Sequence, residues 1–477
     1  MYKQYIDGKL VDGLGKPKNV LNPATGEVAG VVGCATAQQA AQALEAANRA
    51  FKTWSKTSVS ERIEWIQKLR DAVVAEKETF LKLDAEETGR TYAEACGDVG
   101  WFLTSCGFYC DEVKRVNGTS FANFGGVPGS AYHIVEYQPI GVAVAHLAWN
   151  YPMGNAGIKL CPSILAGCTC IIKPSSETPL TMLYLGEVAA RIGFPAGVLN
   201  ILSGPASEVA YTLNTSTIPR MITMIGSTET GLQIMRESAT SVKKYSFEMG
   251  GNAPVVVMDD ADLDMVAANI VAKKTGFAGQ TCVNYNRIYV QEKVYPALCE
   301  KVAQELSKVT LGAWKDPGQV MGPVINNQSR ERLLGLIEDA VAHGAKLVMG
   351  GEIPEGFAAG SSYLTPALLV DVTDDMRVSN EEIFGPIIPM QPFSDLDEAL
   401  TKANNTPFGL SAYYFGHRAP EISKAFTAFE AGEIFVNGSA GSEFSPHAGT
   451  KQSGVGCDKS KWSLAEYYDF KYLSMIP

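Results

Sequence analysis

Cys282 lies in the run FAGQTCVNYNR (277–287), behind Gly-Gln-Thr and ahead of polar residues. That approach suits a tight turn presenting a thiol to a cleft, where nearby dipoles or cations favour the nucleophilic thiolate. The other reading of such a cysteine is a small buried hydrophobe. Glu248, in FEMGGNAPVVV (247–257), precedes a Gly-Gly turn and an otherwise apolar strand. A carboxylate at the end of a buried strand has a raised pKa and can act as a general base; at a surface edge it is merely solvated. Trp149 and Asn150 sit in AWNYP (148–152), where a strand runs out. The Asn150 amide can donate to a developing oxyanion, or the residues can form an ordinary turn. Lys173 and Ser176, in IIKPSSETP (171–179), follow another strand and suit ribose hydroxyls or a phosphate. Gly226 and Ser227, in GSTETG (226–231), open a helix whose free N–H groups suit a pyrophosphate, although the run is not GxGxxG.

These positions need a scaffold, and the chain has the pattern of one. GVAVAHLAW (141–149), CTCIIK (168–173), VLNILSG (198–204) and APVVVMDD (253–260) read as buried strands, with helices at 181–192, 228–239 and 263–275. This is the βαβ rhythm of a mostly parallel α/β sheet with helices on both faces. A second α/β unit follows: strands at 287–293 and 433–438, helices at 295–309, 329–344 and 397–404, with Cys282 near the junction of the two units. Clefts between domains are where ligand sites concentrate. SAYHIVEYQPI (130–140) alternates like an exposed antiparallel strand, and KYLSMIP closes the chain as a short β-like tail. Such edges form either an oligomerisation arm or a hairpin folded back on its own domain.

The 477 residues are 46% hydrophobic, enough for two or three domains with cores of their own. A formal charge of −11 without clustered Lys and Arg argues against nucleic acid. MYKQYIDGKLVDG has no apolar leader core, and no apolar run reaches membrane-spanning length, so the expectation is a soluble cytoplasmic protein with no membrane partner. Ten scattered cysteines suit reduced thiols. The pairs Cys106/Cys110 and Cys168/Cys170 have no second pair nearby, so no metal is expected.

Taken in order, AWNYP, KPSSETP, GSTETG, EMGGNAP, GQTC, EEIFGP (381–386) and HAGTKQSG (447–454) resemble the aldehyde dehydrogenase superfamily, from NPATGEV (22–28) to SGVG (453–456). The resemblance implies a Rossmann-like dinucleotide-binding domain (1–118 and 141–247), an α/β catalytic domain (248–440) and a small β oligomerisation arm (119–140 and 457–477), assembled as a homodimer or homotetramer. It implies that Cys282 attacks a small-molecule aldehyde, that Asn150 and the Cys282 N–H hold the oxyanion, and that Glu248 activates the water that hydrolyses the thioester. It further implies that Glu382 binds the nicotinamide ribose, Phe384 packs on the cofactor, Lys173 holds the adenine ribose, and Trp149, Gly226 and Ser227 line the pyrophosphate path of NAD or NADP.

Where many NAD-preferring relatives have a glutamate three places after the matching lysine, this chain has Ser176, which predicts acceptance of NADP. GQTCVxxNR and SKWSLAEYYDFKY (460–472) resemble succinate-semialdehyde dehydrogenases, but Ile158 replaces the arginine with which those grip a carboxylate. That loss weakens an acidic substrate unless another cation takes its place. His447 in HAG is similar to lactaldehyde and glycolaldehyde dehydrogenases, where an imidazole can bond a substrate hydroxyl. With Tyr151, Asn155, Thr281, Ser442 and Glu443 nearby, a polar pocket for a short hydroxyaldehyde is the expectation, and an acidic aldehyde is the alternative. The competing classes are a dehydrogenase that passes the acyl group to coenzyme A, against which Glu248 argues, and an inactive structural homologue.

Overall fold

The computed structural model describes every residue except 124, 125, 128–130, 315, 317–319 and 477. Its first sheet runs in the order Lys9–Val11, Gln4–Ile6, Leu199–Ile201, Thr169–Lys173, Val142–His146, Pro219–Ile225, Lys244–Glu248, Gly454–Val455. The inner five strands are parallel, and antiparallel pairs close both edges. Val142–His146 and Thr169–Lys173 are buried along their whole length, which is why the sequence shows them as unbroken apolar runs. Within the parallel part the chain starts in the middle with Val142–His146, adds Thr169–Lys173 and Leu199–Ile201 to one side, then crosses to the other with Pro219–Ile225. Strand order therefore reverses beside Val142–His146, the place where open α/β sheets hold ligands at their carboxyl ends.

A second sheet follows the same plan in the order Lys346–Met349, Ala367–Val370, Ile387–Phe393, Arg287–Gln291, Pro254–Val257, Ser411–Phe415, Glu433–Val436, parallel except at the first pair. Each sheet has a packed core of its own. The observed strands are shorter than the apolar runs: 141–149 narrows to Val142–His146, and 253–260 to Pro254–Val257. Beyond His146 the chain leaves the ladder for the loop that carries Trp149 and Asn150.

Several elements lie outside the βαβ reading. Helix Ala37–Trp54 packs on the first sheet, while Val59–Ala75, Lys77–Thr88 and Tyr92–Glu112 pack on the helices Pro152–Ala166 and Leu180–Arg191; the first and last of the four are opened by capping boxes at Thr36/Gln39 and Thr91/Glu94. Helix Pro152–Ala166 is buried on every side, so it has no polar face to mark its period in the sequence.

A third sheet is antiparallel, in the order Tyr468–Met475, Tyr132–Pro139, Thr119–Ala122. The strand expected at an exposed edge is its middle strand, and the short tail is an eight-residue edge strand. Parts of the 119–140 and 457–477 arm, namely 124, 125, 128–130 and 477, lie outside the described residues. Among the described residues, no helix is long and apolar enough to cross a membrane.

Candidate active site

Four of the first sheet's parallel strands deliver a site residue at or just beyond their carboxyl ends. Val142–His146 leads to Trp149 and Asn150, Thr169–Lys173 ends on Lys173, Pro219–Ile225 leads to Gly226 and Ser227, and Lys244–Glu248 ends on Glu248. Cys282 arrives from the second sheet, on the loop between helix Leu263–Thr275 and strand Arg287–Gln291. Phe277 and Ala278 there take left-handed φ values of 47° and 49°, which only a tightly held backbone sustains. The buried Gln280 supplies that hold: its side chain donates to Phe277 O at 3.1 Å and accepts from Ile325 N at 2.8 Å.

The Gly-Gly of EMGGNAP has a steric reason. A Cβ on Gly251 would lie 2.5 Å from the Cys282 carbonyl oxygen, and one on Gly250 would lie 2.6 Å from a Glu382 carboxylate oxygen. The link between the two sheets thus passes directly under the cysteine. The HAGTKQSG segment closes the site from the other side: Gly454 pairs with Glu248, and Ser453 Oγ donates to Gly250 O at 2.7 Å.

A cavity of about 680 Å³ opens on these residues. Asn150, Tyr151, Asn155, Ile158, Glu248, Thr281, Cys282, Ser442, Glu443 and His447, all singled out from sequence, line it together. The Asn150 amide donates to Gln280 O at 3.2 Å and its carbonyl accepts from Asn155 Nδ2 at 3.4 Å, so the donor is already aimed at the cysteine loop. Glu248 is buried, and neither carboxylate oxygen has a hydrogen-bond partner among the described residues. Burial pushes its pKa up to about 8, with His447 pulling the other way.

His447 has a more crowded setting than a free substrate donor. Its Nδ1 is 3.1 Å from Glu433 Oε1, while its Nε2 is 3.6 Å from Glu248 Oε2 and 4.0 Å from Cys282 Sγ. Burial opposes the charged ring, but Glu248, Cys282 and Glu433 together hold its pKa well above the imidazole range.

The cofactor candidates do not line that cavity. Trp149 and Phe384 meet edge to face with ring centroids 5.2 Å apart. Glu382 Oε1 accepts from Gly251 N at 3.0 Å, and burial pushes the Glu382 carboxyl up to about 7. Ser227 caps helix Thr228–Ser238. Lys173 is a buried cation whose sole polar partner among the described residues is the Pro174 carbonyl at 3.4 Å, and burial, together with Lys18, lowers its pKa to about 8. A buried charge left so poorly paired fits a ligand that brings its own acceptors, as ribose and phosphate do. Near Ser176, Lys18 donates to the Ser176 carbonyl at 2.8 Å and pairs with Glu177 at 3.2 Å.

Sequence reading missed three groups. Lys273 and Lys459 line the cavity, and neither forms an ion pair among the described residues. Glu433 was legible only as the start of a strand. Arg90, fully buried with Asp84 at 3.2 Å and Asp98 at 3.5 Å, donates to the Asn150 carbonyl, while Asp98 accepts from Met153 and Gly154 at the start of helix Pro152–Ala166. The crowding of acids and arginine in DAEETGRTYAEACGD (84–98) was the available signal.

The model of the aldehyde dehydrogenase family matches residues 11–473. The chain belongs to that family. It is an NAD(P)-dependent oxidoreductase acting on the aldehyde group, on the mixed α/β fold of aldehyde dehydrogenases. It is 37% identical to a glutarate-semialdehyde dehydrogenase of Pseudomonas putida, over 98% of this chain and 96% of that one. It is 36% identical to an NADP(+) succinate-semialdehyde dehydrogenase of Escherichia coli, over 98% and 96% respectively. The crystal structure of lactaldehyde dehydrogenase from Escherichia coli superposes with a TM-score of 0.95 at 30% identity, covering 100% of this chain and 99% of that one.

Proposed function

We propose that this aldehyde dehydrogenase oxidises a short aldehyde with an anionic far end to its carboxylic acid, through a thiohemiacetal and a thioester on Cys282. The presence of Lys273 and Lys459 in the same cavity as Cys282 carries this reading. They are the cations that the loss of an arginine at Ile158 calls for, and the semialdehyde dehydrogenases among the relatives point to the same substrates. A short hydroxyaldehyde is the second reading, favoured by Glu443, whose Oε2 is buried without a hydrogen-bond partner among the described residues and can accept from a hydroxyl.

Cys282 Sγ attacks the carbonyl carbon, and the Asn150 amide takes up the oxygen as charge develops on it. The acceptor for the hydride would be supplied by a bound nicotinamide. Glu248, which lines the cavity with neither oxygen hydrogen-bonded among the described residues, removes a proton from the water that cleaves the thioester. Trp149, Lys173, Ser176, Gly226, Ser227, Glu382 and Phe384 hold the dinucleotide. Ser176 brings no negative charge, and Glu177 is tied to Lys18, so NADP is accepted.

On this reading 1–118 with 141–247 bind the dinucleotide and 248–440 supply the nucleophile. The third sheet, which exposes Phe121, Tyr132, Phe470, Tyr472 and Leu473, joins copies of the chain. Ten free thiols suit a reducing compartment such as the cytoplasm.

The test is kcat/KM for succinate semialdehyde, glutarate semialdehyde, lactaldehyde and propanal with both cofactors. The acid semialdehydes should exceed propanal by about tenfold or more. Equal values would sink the anionic reading, and a preference for NAD beyond about a hundredfold would sink NADP acceptance.

A further inference from the structure

His447 stands closer to the chemistry than a pocket wall needs to. Three segments remote in the chain converge on it: the Cys282 loop, the start of strand Glu433–Val436, and the end of strand Lys244–Glu248. Its backbone is fixed by two hydrogen bonds with Asp458, at 2.8 and 2.7 Å, and Asp458 is in turn anchored by a buried ion pair of 2.6 Å with Lys159. The ring therefore has little freedom to leave. Glu433, 3.1 Å from Nδ1, accepts the Nδ1 proton and so selects the tautomer whose Nε2 lone pair faces Cys282 Sγ. A base beside a thiol, with a carboxylate orienting the base, is the general arrangement of an activated cysteine.

We propose that His447, oriented by Glu433, takes the proton of the Cys282 thiol and holds the sulfur as a thiolate before the aldehyde arrives. The S–H bond breaks, an N–H bond forms at Nε2, and the electron pair stays on sulfur; no oxidant or reductant takes part. The thiolate then forms the C–S bond as the carbonyl π pair moves to oxygen. When water cleaves the thioester, sulfur leaves as a thiolate beside the same imidazolium, so the leaving group needs no new proton. Glu248, Glu433 and Cys282 face the ring directly, Asp458 lies behind it, and Lys273 is felt by Cys282 and Glu433. Glu248 and Glu433 both work against the cost of burial on the ring, which favours the imidazolium over its neutral form.

The proposal rests on Cys282 being the nucleophile, and the experiment separates the two. Alkylation of Cys282 by iodoacetamide is followed by intact mass across pH in the full-length protein without substrate or cofactor, with Cys282→Ser as the blank for the other thiols. At about pH 7, His447→Gln should react about tenfold more slowly than wild type, converging with it in alkali, and Glu433→Gln should show a smaller loss. A purely structural role for the histidine would change the melting temperature and leave the pH profile in place. Superimposed profiles for wild type and His447→Gln overturn the proposal; if that variant does not fold, superimposed profiles for wild type and Glu433→Gln do so. Failure of the nucleophile assignment appears elsewhere, as aldehyde oxidation by Cys282→Ser.

Discussion

Arg90 lies between Asp84 and Asp98 at 3.2 and 3.5 Å, and His447 lies between Glu433 and Glu248 at 3.1 and 3.6 Å. Both are basic side chains set between two carboxylates, yet they are used differently. Arg90 cannot lose its proton, and its cluster spends its hydrogen bonds on the fold: Thr88, the Asn150 carbonyl, and the first amides of helix Pro152–Ala166. His447 can exchange a proton, and although Asp84 and Glu248 alike have carboxylate oxygens without a hydrogen-bond partner among the described residues, it is Glu248 and His447 that line the cavity with Cys282. A buried charge whose partners are all protein holds structure. One left with valence facing a cavity is available for chemistry.

Cys282→Ser should lower kcat by about four orders of magnitude or more with the unfolding midpoint almost unchanged; substantial remaining turnover would remove sulfur from the mechanism. Glu248→Gln should lower steady-state turnover by about 10²–10⁴-fold while a first-turnover burst of reduced nicotinamide survives, because acylation does not need the base. A lost burst would place Glu248 earlier in the reaction.

The same carboxylate sets a pH limb. A general base must be ionised, and the Glu248 pKa is raised to about 8, so hydrolysis should weaken as pH falls below about 8, by about tenfold per unit. A flat profile down to about pH 6, under conditions where hydrolysis limits the rate, would contradict this assignment.

Arg90→Met reverses the pattern. It should cost about 3–5 kcal/mol of stability in urea unfolding, because two buried aspartates lose their cation, whereas Glu248→Gln should leave stability equal or higher. Similar stability losses for both would erase the distinction between the clusters. The smallest effect belongs to Lys459→Met, which should reduce kcat/KM for acid semialdehydes by about tenfold and for propanal hardly at all. A uniform loss would assign Lys459 to packing against Trp101, over whose ring its Nζ sits at 4.9 Å.

Much of the scaffold was legible. Strands buried on both faces must be apolar throughout, so Val142–His146, Thr169–Lys173 and Pro254–Val257 announce themselves, and the residues just beyond strand ends, Asn150 and Gly226 among them, follow from that. Helix Pro152–Ala166 was not legible as a helix, because burial on all sides removes the polar stripe. The tail strand Tyr468–Met475 was legible only in part, since its pairing partner Tyr132–Pro139 lies far back in the chain.

Local sequence was enough to single out Cys282, Glu248 and Asn150, which the fold brings to one cavity, because their surroundings of Gly, Thr and apolar strand are their own neighbours in the chain. It could not single out Glu433, Lys273 or Lys459, because a charged residue on an amphipathic element reads the same whether it meets water or a cysteine. Sequence by itself determined the α/β fold, the family and the side chains at the strand ends, since these depend on local pattern and short-range sterics. Only the tertiary structure decided which distant charges share a cavity with the sulfur, because Coulomb interaction and desolvation depend on separation in space and on burial, and neither is encoded in separation along the chain.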